Sequence, residues 1–393
     1  MRYLLFLSIF LSLSLSLKAQ ESKLDLKFFG TLGAVYNDNN KYKFTKGPHS
    51  KDGSSKKINA YVDSILGSQL SYKFNDNLSL ITQGIIRKDD FGDIKPSIDW
   101  SYLKYDSNEN FIFKIGRIKL PYYKNSNNNN IGYSKLMIRE AIEVYGQMPF
   151  NIYNGVEFIY SNLINKYFYT LQGSYGQEDF NIPIQTLNQE FKNKIKDLKA
   201  INFTFGNDII EARASYLHGK ISTKNKFIDN IFSSLKGKKN LITLANKYEM
   251  KDKNAEYFGL GLFIDYHNFI FSSEYGKRKV DSFYLGTSGF YTTLGYRFGA
   301  LIPYFTYAKI KMDENTTINT EDHRLNYLIE IQNVAQDTKT LGFKYHINQN
   351  IDFKFEYQRI RPKGTNGGFN LNATGDYENS NSNIYSFAID FIF

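Results

Sequence analysis

Residues 351–357 read "IDFKFEY", with Ile351, Phe353, Phe355 and Tyr357 alternating with Asp352, Lys354 and Glu356. Side chains of an extended strand point to opposite faces in turn, so this segment has one aromatic face and one charged face. The same period of two ends the chain, where "IYSFAIDFIF" sets Tyr385, Phe387, Ile389, Phe391 and Phe393 against Ser386, Ala388 and Asp390. It recurs almost throughout. A chain built of such strands must border water on one side of its sheet and something apolar on the other. In a sandwich the apolar partner is a core; in a closed barrel it is lipid, and the polar face lines a wet lumen.

The spacing of turns decides between these. Short clusters of Asn, Asp and Gly occur at 75–77, 106–110, 162–166, 206–208, around Asn268, at 299–300 and at 348–350. These residues tolerate the conformations that tight hairpins need. Between them lie long polar segments, roughly 37–57, 90–96, 121–152, 177–197, 221–253, 280–287, 313–337 and 362–382. Short turns on one side and long loops on the other are the signature of a transmembrane barrel. Strands are expected at 24–36, 58–74, 78–89, 97–105, 111–120, 153–161, 167–176, 198–205, 209–220, 255–267, 269–279, 288–298, 301–312, 338–347, 351–361 and 383–393. The fold class is therefore all-β: an antiparallel transmembrane barrel of about sixteen strands, with short periplasmic turns and long extracellular loops. Such a barrel is too wide for side chains to fill and leaves an aqueous channel.

Composition agrees with this assignment. Tyr and Phe number 31 and 33, Cys is absent, and mean hydropathy is −0.44. No disulfide can hold the chain, and past its beginning no apolar run is long enough for a membrane helix. The start, "MRYLLFLSIFLSLSLSLKAQ", has a positive charge, an apolar stretch and a small residue, Ala19. It reads as a secretory signal peptide over 1–19, leaving 20–393 as the barrel. The first strand then follows within a few residues, which argues against a plug domain and so against a gated importer. The formal charge of +10 becomes +8 without Arg2 and Lys18. In an exported chain this points to anionic lipid headgroups, or to a pore that prefers anions, rather than to nucleic acid. The densest basic run, Lys41 to Lys57, falls in an expected loop and reads as solvated.

One segment departs from the alternation. In residues 121–152 the stretch "YSKLMIREAIEVYG" places Leu136, Ile138, Ala141, Ile142 and Tyr145 at helical spacing, with Ser134 to cap the helix and Gly146 to end it. On that helix Lys135 and Arg139 would stand one turn apart, with Glu140 and Glu143 beside them.

The run "GRIKLPYY" closing the fifth strand, the order "WSYL…IGRIKLP" from Trp100 to Pro121, the following "NGVEFIYS" and the final Phe resemble the porins of Gram-negative outer membranes, including phosphate-selective and dicarboxylate-type porins. The resemblance implies a water-filled channel for passive diffusion of small hydrophilic solutes and ions, and a homotrimer. It also implies that loop 121–152 folds inward to narrow the pore. Wall cations (Lys114, Arg213, Arg297 and Lys354) would then face the loop acids Glu140 and Glu143, with Lys135 and Arg139 as a small basic cluster. The terminal residues Phe387, Ile389, Phe391 and Phe393 would be the signal read by the barrel assembly machinery. Lipid and lipopolysaccharide would be the other partners.

Two other classes stand against this one. The five His are scattered, with no serine–histidine arrangement and no metal-ligand spacing, so neither an enzyme nor a metal or other cofactor is expected. The alternative to a pore is an adhesin or structural barrel whose long loops are the binding surface.

Overall fold

The computed structural model describes residues 23–184, 189–313, 320–364, 367–373 and 380–393. The expected signal peptide, 1–19, lies outside them. Sixteen strands form one closed antiparallel barrel. They are β1 (Leu24–Asn37), β2 (Ile65–Lys73), β3 (Leu78–Lys88), β4 (Ile94–Asp106), β5 (Phe111–Lys119), β6 (Ile152–Ile164), β7 (Tyr167–Ile184) and β8 (Gln189–Gly206), followed by β9 (Ile210–Lys224), β10 (Lys253–Tyr266), β11 (Phe269–Val280), β12 (Thr287–Tyr296), β13 (Leu301–Met312), β14 (Gln336–His346), β15 (Ile351–Pro362) and β16 (Ser382–Ile392). Each pairs with its sequence neighbours, and β16 pairs with β1 to close the ring, Gly30 lying opposite Phe391. Phe393 and Phe28 exchange both backbone hydrogen bonds at 2.8 Å.

The short turns are built as their composition requires. Asn75, Asn108, Asn207 and Asn348 each turn the side-chain oxygen back onto backbone N–H groups two or three residues on, as in Asn75 to Leu78 at 2.8 Å. This substitutes for the missing ladder partner at the bend. Elsewhere Asn165 and His267 take positive φ, 56° and 51°.

The faces follow the alternation. Leu341, Phe387, Ile389, Leu260 and Ile201 point outward and are exposed, an apolar belt for lipid. Asp352, Lys354, Glu356, Ser386 and Asp390 point inward and are buried. The hairpin β7–β8 is longer than its polar composition suggests. Phe180, Ile182 and Phe191 continue it above the rim, where they meet an apolar cluster of loop residues. That cluster is organised by α1 (Lys226–Lys236), α2 (Ile242–Tyr248) and α3 (His323–Glu330). Helix α1 buries Ile228, Ile231, Phe232 and Leu235, one face at helical spacing, and Asn225 caps it by accepting from Phe227 N and Ile228 N. Helix α3 lies within the expected loop 313–337, over most of the stretch "RLNYLIEIQ".

Residues 58–64, expected to begin the second strand, are not in it. The first long loop instead forms a small sheet of Tyr42–Thr45, Gly53–Ser54 and Leu371–Ala373, which ties it to the last long loop.

Candidate functional site: the inward loop between β5 and β6

Pro121 cannot donate to the ladder, and the chain leaves the wall there. The base is pinched by Leu120 N donating to Asn151 O at 2.9 Å. From that base the segment crosses the lumen and bonds to inward side chains on both sides of the ring. On one side Arg213 of β9 donates to Pro121 O at 2.6 Å, and Ser215 to Tyr122 O at 2.9 Å. Glu274 of β11 accepts from Lys124 N, Tyr145 Oη and Tyr291 Oη at 3.0, 2.7 and 2.8 Å. On the other side Lys344 donates to Tyr133 O at 2.7 Å, and Lys354 to Gly132 O and Met137 O at 2.8 and 3.2 Å. Ile138 N donates to Glu356 at 2.7 Å. Tyr133 Oη reaches Gln349 O in the turn after β14 at 2.7 Å.

This bonding accounts for a departure from expectation. The helix foreseen over 134–146 is a single turn, Ile142–Tyr145. Between Gly132 and Ile138 the backbone N–H and C=O groups are taken by wall Lys and Glu side chains, so they are not available to an i→i−4 ladder. Lys135 is extended, with φ −105° and ψ 151°, and Ser134 donates to Ile131 O rather than capping. Lys135 and Arg139 are therefore not one helical turn apart.

The loop packs as well as bonds. Tyr122, Tyr123 and Tyr145 stack among themselves and against inward Tyr257 and Tyr291, with Tyr123–Tyr145 ring centroids 4.2 Å apart and Tyr123–Tyr257 5.4 Å apart. Burial raises the pKa of all three loop tyrosines, so they stay neutral donors. Two glycines allow the close approach. A Cβ on Gly132 would collide with Asp390 and Thr31, and one on Gly289 of β12 with the Glu143 carbonyl.

The charged residues singled out from the sequence fall into distinct places. Lys114 pairs with its cross-strand neighbour Glu157 at 2.7 Å, away from the loop. Arg297 sits at the short-turn end, bidentate to Asp265 at 2.7 and 2.6 Å. Lys354 is buried beneath the loop and paired with Asp390 at 2.9 Å. No wall cation forms an ion pair with Glu140 or Glu143 among the described residues, although the Lys354 charge acts on Glu140. Glu140 accepts from Asn125 at 2.9 Å, and Glu143 from Gln336 at 2.7 Å and from Thr338. Burial raises the pKa of both acids. The polarity runs the other way at Arg139. It reaches out from the loop to Asp63 at 2.5 Å, Gln358 at 3.0 Å and Ser386 at 2.6 Å, with Glu356 at 3.6 Å. Burial alone would lower its pKa, but Asp63 and Glu356 hold it above the ordinary value. Among the described residues Lys135 donates only to backbone oxygens, Asn129 O at 3.2 Å and Ile138 O at 3.4 Å.

Sequence reasoning missed the inward tyrosines. Their mark is a pair of adjacent aromatics within a strand (Tyr257–Phe258, Phe290–Tyr291 and Tyr304–Phe305), which makes both faces apolar and leaves no polar side to read. Between the loop and the β1–β3 wall lies a cavity of about 430 Å³, lined also by the first long loop.

No family model matches the sequence, and no curated protein matches it by sequence. Solved structures do match. The outer membrane channel DcaP of Acinetobacter baumannii superimposes with a TM-score of 0.60 at 14% identity, over 96% of this chain and 99% of that one. The anion-selective porin of Comamonas acidovorans gives 0.55 at 12% identity, over 94% and 100%. The trimer form of OmpT, an outer membrane protein of Vibrio cholerae, gives 0.55 at 12%, over 94% and 99%. The fold is that of the Gram-negative outer-membrane porins, and the outward apolar belt is that of a barrel set in lipid.

Proposed function

We propose that the protein is a non-enzymatic outer-membrane porin, passing small hydrophilic solutes and ions by passive diffusion with a weak preference for anions. The observation that supports this is the seat of residues 120–151: one loop lies inside a sixteen-strand lumen, bonded to inward side chains from β9 to β15. Width and wall charge at such a narrowing set what passes. On this reading Lys135, Arg139, Glu140 and Glu143 shape the constriction, with Arg213 and Lys354 as its anchors in the wall and Lys114 and Arg297 as charges along the approach. A homotrimer is part of the proposal, supported by the trimer form of one structural relative. So are contacts of the basic outer loops with lipopolysaccharide, and recognition of the aromatic β16 by the assembly machinery.

The test is planar-bilayer recording on purified, refolded protein. Discrete ohmic steps are expected, with a reversal potential in a KCl gradient on the anion side. Absence of steps would overturn the channel reading and leave an adhesive or structural barrel. Deleting residues 125–146 should raise the step size; an unchanged step would show that the loop is not the constriction.

A further inference from the structure

We propose that Lys46, Arg87 and Lys135 form a binding site for a small oxyanion in the cavity between the inward loop and the β1–β3 wall. The inference deepens the channel reading and rests on it for its physiological sense. The three cations come from three separate elements: the first long loop, the end of β3 and the inward loop. All three line the one cavity of about 430 Å³.

What sets them apart is that they stand outside ion pairs. Among the described residues none of the three has a carboxylate within ion-pair distance. Arg87 reaches only Asn130 Oδ1, at 3.4 Å, and Lys135 only backbone oxygens. Lys46 has no hydrogen-bond partner among the described residues.

Each acid lining the same cavity has a partner of its own, and for Asp63 and Asp89 that partner is a cation. Asp63 is held by Arg139 at 2.5 Å. Asp89 is held by Lys95 at 3.2 Å, and Asp90 by the Ser50 hydroxyl at 2.5 Å. Glu140 takes the Asn125 amide. The remaining basic group, Lys88, is paired with Asp52. The net result is a cavity in which three cations stand outside ion pairs and Glu140 Oε2 is buried without a hydrogen-bond partner among the described residues. A tetrahedral oxyanion offers what these groups lack, and the planar Arg87 fork can engage two of its oxygens.

The site also carries a pH dependence. Burial, and then the Arg87 and Lys135 charges, lower Lys46 to about 7 against the opposing pull of Asp63 and Asp90. His49, the other titratable group of that loop, is lowered to about 4 by burial and is neutral in this range. Below pH 7 the site therefore holds a third positive charge, and as pH rises through 7 that charge is lost. Anion affinity falls in the same direction.

Sulfate is the probe, because it stays doubly charged throughout. Calorimetric titration of the detergent-folded full chain at low ionic strength should find one sulfate per chain at pH 6. Binding should weaken about tenfold or more in Arg87→Gln and in Lys46→Met, as loss of one desolvated charge contact implies. It should be unmoved in Lys166→Gln, a short-turn variant. Wild-type affinity should fall between pH 6 and pH 8.5, and Lys46→Arg, which keeps its charge, should remove that fall. No sulfate binding, or binding unchanged in both Arg87→Gln and Lys46→Met, would overturn the site. Conductance and binding are separate readouts: binding without channel steps would retain the site and defeat the channel, while steps without binding would do the reverse.

Discussion

Lys354 of β15 and Asp390 of β16 form an ion pair at 2.9 Å with side-chain exposures of 0% and 1%. Both point into the barrel, where an open lumen would have left them wet. The inward loop removes them from water, and Lys354 spends its other protons on Gly132 O and Met137 O. Removing one partner of a buried pair leaves an uncompensated charge and costs about 3–5 kcal/mol. Lys354→Met should lower unfolding stability by that order, and Lys354→Met with Asp390→Asn should recover more than half of it. Urea titrations in micelles check this; equal losses in the single and double variants would refute the coupling.

Glu274 of β11 anchors the loop four strands along the ring from Lys354. Replacing it with Leu strands the Tyr145 and Tyr291 hydroxyls and the Lys124 N–H, each unsatisfied group costing about 1–3 kcal/mol. The loop should loosen from that side. Larger or noisier single-channel steps are expected, together with tryptic cleavage at Lys124 in the reconstituted protein that the wild type should not show.

Gly132 presses on the β1–β16 wall so closely that a side chain has no room beside Asp390 and Thr31. Gly132→Val should push the loop off its seat and raise conductance while the barrel still forms. A folded variant with wild-type steps would show that this contact does not set the opening.

The outward belt makes a simple prediction. Leu341 is 57% exposed on the lipid side of β14. Leu341→Arg should destabilise the barrel in bilayers by about 2–4 kcal/mol, the range for a basic residue near the midplane. Thr340→Arg, one residue along, would face the lumen instead and should differ in kind, altering conductance.

Burial of Glu143 sets a pH effect. Its pKa is raised in the folded protein, so the protonated form is the one the fold prefers. The associated stability is present below the ordinary Glu value and is lost as pH rises through the raised one. Glu143→Gln keeps an acceptor for Thr338 and Gln336 without the charge. It should raise the unfolding midpoint at pH 7 and leave it little changed at pH 4; the opposite ordering would contradict this assignment.

The barrel was legible because its strands obey one rule on two faces. Ile351 to Tyr357 and Tyr385 to Ile389 could be placed outward or inward residue by residue. The Asn-led turns fixed which end was short. The loop was harder to read. Its apolar residues have helical spacing, yet its conformation is dictated by Lys344, Lys354 and Glu356, more than 200 residues away, which claim its backbone groups. No local pattern encodes that competition. Arg139 was recognised as important, but its partner Asp63 lies in a stretch between strands whose position nothing local determines. Lys46 sits in a run of lysines that reads as a solvated loop, and only the tertiary fold shows which one of them turns inward.

The bond between Thr31 and Asp390, 2.5 Å long, joins residues 359 apart in the chain, and it lies on the line where β1 meets β16. Until those strands meet, the sheet has two open edges and the longest loop-closure step is still ahead. Gly132 rests directly on this line, and Arg139 spans it from Asp63 to Ser386. The inward loop can therefore take its final place only after the ring has closed. Once there, it clasps the junction from within, so that the aperture and the last event of assembly are fastened by the same few side chains.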